Sequence, residues 1–203
     1  MRPRILVMET NAGDSVVSAY QFLKNINCNL YIASLFNQED TKKYCKYNNH
    51  VYIETANIEK IPENCTLPRL GIYTSFAEQE NTYLAYYQKE KLDILNIVKY
   101  VIDKVNPTHI LTNAGLISMY NIYLRSCIAH SFNNVIYYVE KPYYLMNNYT
   151  AVNEIVLKPK IKKISLTPKE IANKLKIYKQ FFNKKLLTLY PDIMTCTEEF
   201  FKG

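Results

Sequence analysis

Glycine is scarce in this chain, at four residues in 203. That excludes a collagen-like repeat and a flexible low-complexity linker. The first strand-to-helix loop, Glu9 to Ser15, holds one glycine where the dinucleotide fingerprint needs three, and it lacks the Gly-Lys-Ser/Thr of a phosphate loop. Histidine is scarcer still, at His50, His109 and His130. A histidine metal site needs two or three of these to converge. Instead, His109 falls at the amino end of a predicted strand, His130 at a helix end and His50 in a polar stretch. Each reads as a surface or satisfied core histidine. With no His–Cys or His–Ser partnership, nucleophilic catalysis has no support. The five cysteines, Cys28, Cys45, Cys65, Cys127 and Cys196, are odd in number and form no C-x-x-C pair. A disulfide framework and a thiolate zinc site are therefore not expected, and a reducing cytoplasm is. No apolar run approaches the ~18 residues of a membrane span. The opening Ile5-Leu6-Val7-Met8 is ended by Glu9, too short for a signal peptide, and reads as a first β-strand.

What remains is the composition of a folded domain: 48% hydrophobic and 21% charged residues. The length suits one domain over residues 1–203. The net charge of +7 comes from scattered lysines, and only Lys158 to Lys163 forms a basic stretch. Interleaved with apolar residues, that stretch reads as an exposed strand or loop, so a nucleic-acid partner is not expected. Nineteen tyrosines include the pairs Tyr86-Tyr87, Tyr137-Tyr138 and Tyr143-Tyr144. Packing explains them better than a stacking platform for sugars or nucleosides.

Strand and helix patterns alternate. Strands are expected at Arg4 to Met8, Asn29 to Phe36, Val51 to Ile53, Thr108 to Thr112 and Asn134 to Val139. Helices are expected at Ser15 to Lys24, within 38–50, from Asn81 to Val105, up to Ser131, and from Pro168 to Phe182 after the cap residue Thr167. The long helix shows Leu84, Leu92, Leu95, Val98, Ile102 and Val105 at helical spacing. Two short strands are expected within 154–165, and a short helix in the tail from Leu186. Repeated βα units imply an α/β domain of three layers, with a mainly parallel sheet and helices on both faces. Ligands bind such sheets at the carboxyl ends of the strands. The loops of interest are thus Glu9 to Ser15, Asn37 to Asp40, Asn113 to Asn121 and Glu140 to Tyr144. In the first, backbone N–H groups are expected to converge, and Asp14 and Ser15 are good helix caps.

The order of these segments resembles the LmbE/PIG-L family of zinc-dependent N-deacetylases. Thr10-Asn11-Ala12-Gly13-Asp14-Ser15 occupies the place of the family's A-H-P-D-D-E loop. Asn106 to Thr112 is similar to its Pro-Asp helix end and following strand, and Ile117 to Asn121 stands where it has G-H-P-D-H. Lys174 to Gln180 and Glu198-Glu199-Phe200 look like its closing segments. The resemblance implies a Rossmann-like fold and a link to sugars or glycoconjugates. Carried across residue by residue, Asn11 replaces the first zinc-ligating histidine, Gly13 the general base and Asn121 the third ligand, while Asp14 is retained. A neutral amide is a poor zinc ligand, and without metal and base the hydrolytic mechanism is lost. The expectation is a degenerate member with no metal, no cofactor and no catalytic residues. Its cleft, lined by Glu9, Asn11, Asp14, Asn113 and Asn121, would keep a sugar or nucleotide-sugar ligand or serve an oligomeric partner. The alternative is an active enzyme of glycan metabolism. That enzyme is either a deacetylase with unusual ligands or a metal-independent transferase, such as a glycosyltransferase-like subunit, using Glu9, Asp14, Glu39, Asp40 or Glu140.

Overall fold

The computed structural model describes residues 2–56, 88–115, 119–139, 161–182 and 197–202. Seven strands form one mixed sheet: β1 (Arg4–Asn11), β2 (Asn29–Phe36), β3 (Val51–Tyr52), β4 (His109–Asn113), β5 (Val135–Tyr138), β6 (Lys162–Ser165) and β7 (Thr197–Lys202), in the spatial order β3-β2-β1-β4-β5-β7-β6. β1 to β5 run parallel, and β7 pairs antiparallel with both β5 and β6. The helices among the described residues are α1 (Asp14–Asn25), α2 (Gln38–Asn48), α3 (Gln88–Val105), α4 (Met119–Ser131) and α5 (Pro168–Phe181). None is long and apolar enough to cross a membrane.

The apolar run of β1 is continuous because both of its faces are covered. Leu6 and Met8 join the core under α3 and α4, while Ile5 and Val7 join the core under α1, α2 and α5. From β1 the chain winds outward through β2 to β3, then returns to β4 on the other side of β1. This reversal opens a crevice beyond the carboxyl ends of β1 and β4. β1 itself runs three residues past the expected Met8, because Glu9 pairs with Ser34 and Asn11 with Phe36 of β2.

Four further expectations need correction or fall outside the described residues. The apolar stripe of α3 is centred on Ile94, Ile97, Val98, Val101 and Val105, whereas Leu92 is 56% exposed. The stripe is therefore rotated relative to the spacing that includes Leu92. The tail is not helical at its end: Thr197–Lys202 is a strand inserted between β5 and β6. Its Phe200 and Phe201 are buried on opposite faces of the sheet. Of the two strands expected within 154–165, Lys162–Ser165 is present and 154–160 lies outside the described residues, as do residues 81–87 of the long helix and 183–196 of the tail. Tyr137 and Tyr138 are core residues on β5, while the other two tyrosine pairs are outside the described residues.

Helix α5 begins as the sequence implies. Thr167 and Glu170 form a reciprocal capping box, and Pro168 occupies the first turn. Helix α1 carries a break that no pattern announces: Ala19 is non-helical, at φ −143° and ψ 16°. The break frees N–H groups of the following turn. Glu198 of β7 accepts them, with Oε1 taking Gln21 N–H at 3.1 Å and Oε2 taking Phe22 N–H at 3.1 Å. Lys174 of α5 donates to the same carboxylate at 2.9 Å, and both side chains are 0% exposed. Burial pushes the Lys174 pKa down, against the pull of Glu198.

Candidate functional site

The residues around the crevice come from the turn from β1 into α1, from the end of β4 and from α4. Glu9 is 2% exposed and lies on the same face as Val7. Its Oε1 accepts Gly13 N–H at 3.2 Å, and its Oε2 accepts Ser15 N–H at 2.9 Å and the Ser15 hydroxyl at 2.7 Å. Two amides of the loop thus converge on the chain's own carboxylate. The expected helix cap needs correction. Gly13, at φ +93°, precedes α1 without a side-chain cap bond. Only glycine adopts that backbone readily, and a Cβ there would lie 2.8 Å from the Phe182 ring.

Asp14 begins α1 and is half-buried. Its Oδ2 accepts the Thr10 hydroxyl at 3.0 Å and Asn11 N–H at 3.1 Å. The same Thr10 hydroxyl meets the side-chain amide of Asn121 on α4 and lies 3.5 Å from Asn11 Nδ2. A hydroxyl carries one proton. Thr10 therefore links the β1 loop to α4 across the crevice as a relay between an amide and a carboxylate. Asn113 ends β4, one residue past the last β1 pair, Met8 with Thr112. It is 0% exposed, and neither atom of its amide has a partner among the described residues. A buried amide left in that condition costs about 1–3 kcal/mol.

Burial is the main cause that raises the Glu9 pKa to about 7, aided by the charge of Asp14 and opposed by the bonds from Ser15 and Gly13. Burial likewise raises Asp14 to about 6, against its bonds from Asn11 and Thr10. Groups with raised pKa take up protons on folding, so their stabilising contribution is full below the unfolded pKa. It declines as pH rises, through about 6 for Asp14 and about 7 for Glu9. Burial lowers His50, which acts in the opposite sense. Comparing urea midpoints of wild type and Glu9→Gln isolates the Glu9 part. The wild type is expected to lose stability relative to the variant between about pH 4.5 and 7. A constant difference across that range would show that Glu9 titrates normally.

Of the expected site residues, Asn11, Asp14 and Asn121 are joined here directly or through Thr10, whereas Glu9 bonds separately to Gly13 and Ser15, and the Asn113 side chain has no bond to any of them among the described residues. Glu39 and Asp40 do not join them. They belong to the first turn of α2, where Glu39 reaches Lys42 at 3.9 Å. Glu140 is outside the described residues. The histidines are elsewhere: His109 is exposed at the amino end of β4, His130 meets Ser126 O at 2.7 Å, and His50 lies near the Tyr44 ring. Sequence reasoning missed Thr10 and Phe182. Thr10 was visible only as the first position of the loop, and Phe182 carried no signal beyond ending a helix.

Zinc does not fit this set of side chains. Among the described residues no three His, Cys, Asp or Glu side chains come together as a metal site. The crevice offers amide, hydroxyl and carboxylate oxygens, and both oxygens of Glu9 are engaged. Zinc prefers nitrogen and sulfur donors alongside a carboxylate.

No protein-family model matches the chain, and no curated protein matches it. Solved structures do. The zinc-inhibited form of teicoplanin deacetylase Orf2 superposes with a TM-score of 0.57 at 10% identity, over 98% of each chain. A deacetylase–teicoplanin complex from teicoplanin biosynthesis gives 0.56 at 11% identity, over 98% of this chain and 99% of that one. At such identity the likeness is one of architecture: the chain has the Rossmann-like three-layer fold of an LmbE/PIG-L-type deacetylase.

Proposed function

We propose that this chain is a zinc-free relative of these deacetylases that binds a sugar or glycoconjugate at the crevice, alone or as a partner subunit, without hydrolysing it. The observation that carries this reading is the space beside position 13. In the resemblance this is the general-base position, yet here it is a glycine whose absent side chain would meet the Phe182 ring at 2.8 Å. The neighbouring ligand positions are the amides Asn11 and Asn121. Amides and a carboxylate suit hydroxyl recognition, because each amide offers a donor and an acceptor side by side. The open amide of Asn113 supplies one such pair.

The test begins with zinc content by elemental mass spectrometry, on protein purified without a metal-affinity tag. Well under one zinc per chain is expected, with no deacetylation of a GlcNAc conjugate and saturable binding of GlcNAc or UDP-GlcNAc by calorimetry. Metal-dependent turnover would sink the reading. Asn113→Leu is expected to weaken that binding about tenfold. It is also expected to raise stability by about 1 kcal/mol, because removing an unsatisfied buried amide is favourable. Unchanged binding would remove Asn113 from the site.

The second reading, an enzyme of different chemistry, is favoured by the two raised carboxylates. Groups titrating near 6 and 7 in one crevice are suited to acid/base work. Group transfer from a sugar donor that is lost in Asp14→Asn would establish it, and near-stoichiometric zinc would instead favour a deacetylase with unusual ligands.

A further inference from the structure

A cavity lies apart from the crevice. It holds about 520 Å³, within the range of small-molecule sites, and lies between the ends of α1 and α2 and the beginnings of β2 and β3. The crevice is at the other end of the sheet. From Asn29 to Phe36, β2 spans seven steps of about 3.3 Å, so roughly 20 Å separates the two. Buried Tyr20, Tyr44, Leu23 and Leu30 contribute to its walls. Arg2 and Lys24 bring two positive charges, and no described lining residue is Asp or Glu. The Lys24 ammonium lies 6.0 Å from the Tyr20 ring centroid, which holds that charge over an aromatic wall.

The C-terminal ends of helices are negative and disfavour anions. At α2 that effect is blunted, because the Cys45 carbonyl already accepts both Asn49 N–H and His50 N–H. Asn49 and His50 both line the cavity, so the turn that follows α2 presents amide and imidazole side chains there.

We infer that this cavity is a second ligand site, independent of the crevice, for a planar aromatic anion: a ring carrying a phosphate or a carboxylate. The ring is taken by the tyrosines and leucines, and the anionic group by Arg2 and Lys24.

Phenyl phosphate is the probe, with phenol and inorganic phosphate as its two halves. Binding is followed by calorimetry and by backbone amide shifts in the full chain. Phenyl phosphate is expected to bind at least tenfold more tightly than either half. The amide shifts should centre on Lys24, Asn29, His50 and Val51. Lys24→Glu and Arg2→Glu lie at the cavity's polar side, and each is expected to weaken binding at least fivefold without lowering the melting temperature. Three results would overturn the inference. These are no saturable binding, wild-type affinity in both charge-reversed variants, or shifts confined to residues 9–15. The last would assign the probe to the crevice. Failure of sugar binding at the crevice leaves this result untouched, because no residue is shared.

Discussion

Glu198→Ala is expected to be the most damaging single substitution, lowering stability by about 3–5 kcal/mol, the range for breaking a buried ion pair. Urea denaturation would read it as a drop in midpoint with an unchanged slope. The loss has three parts. The Lys174 ammonium loses the carboxylate that pairs with it, in a site with no solvent access. Gln21 and Phe22 lose the acceptor that replaces their missing helical bonds. The break at Ala19 then has nothing to terminate it. Lys174→Met is expected to be milder, because Glu198 would still accept two N–H groups. The double variant Lys174→Met with Glu198→Gln is expected to recover part of the loss, since a neutral amide can still accept one of them. If Glu198→Ala costs less than about 1 kcal/mol, as an exposed pair would, the carboxylate has no such role.

Gly13→Ala is expected to cost about 2 kcal/mol or more. A side chain at positive φ costs roughly 1–2 kcal/mol, and the Phe182 contact adds to it. At 2.8 Å the new Cβ and the ring cannot both keep their places, so Phe182 or the loop must move. Since Gly13 N–H and Ser15 N–H both hold Glu9, movement of the loop would also release the buried carboxylate. Phe182→Ala opens that space, so a double-mutant cycle should show a favourable coupling between the two substitutions. Additive effects would mean that the ring does not block position 13. Gly13→Asp is expected to be destabilised likewise and to gain no deacetylase activity. Recovered activity in that variant would show that the crevice still holds a metal and lacks only its base.

The parts legible in the sequence were those set by local chemistry. The strand at Asn29 to Phe36 has its observed bounds because polar residues stop an apolar run at both ends. Thr167 and Pro168 announce the start of α5 for the same reason. The loop after β1 was legible as a strand-to-helix turn, and Asp14, Asn113 and Asn121 as residues near strand ends. What was not legible depends on residues brought together from far apart. Glu198 and Glu199 lie in a tail expected to be a short helix, and nothing local announces a strand there. They are buried because Lys174 lies under one and Lys163 reaches the other at 3.2 Å. Thr10 gave no signal because its role appears only when Asn121 crosses to it from α4. Leu92 misled because helical spacing defines a stripe, and its rotation is set by the sheet that receives it.

The insertion of β7 between β5 and β6 has a consequence for synthesis on the ribosome. Translation proceeds from the amino end, so β1 to β5 can pair while the rest is still being made. β6 emerges next, yet its neighbour in the sheet is not β5 but a strand still inside the exit tunnel. Until residues 197–202 are released, β5 keeps an open edge, β6 has no β7 partner, and Lys174 has no carboxylate to receive it. A stalled chain ending before Thr197 is therefore expected to display an aggregation-prone strand edge. One six-residue segment, made after both strands it joins, closes that edge and gives the buried Lys174 its counter-charge.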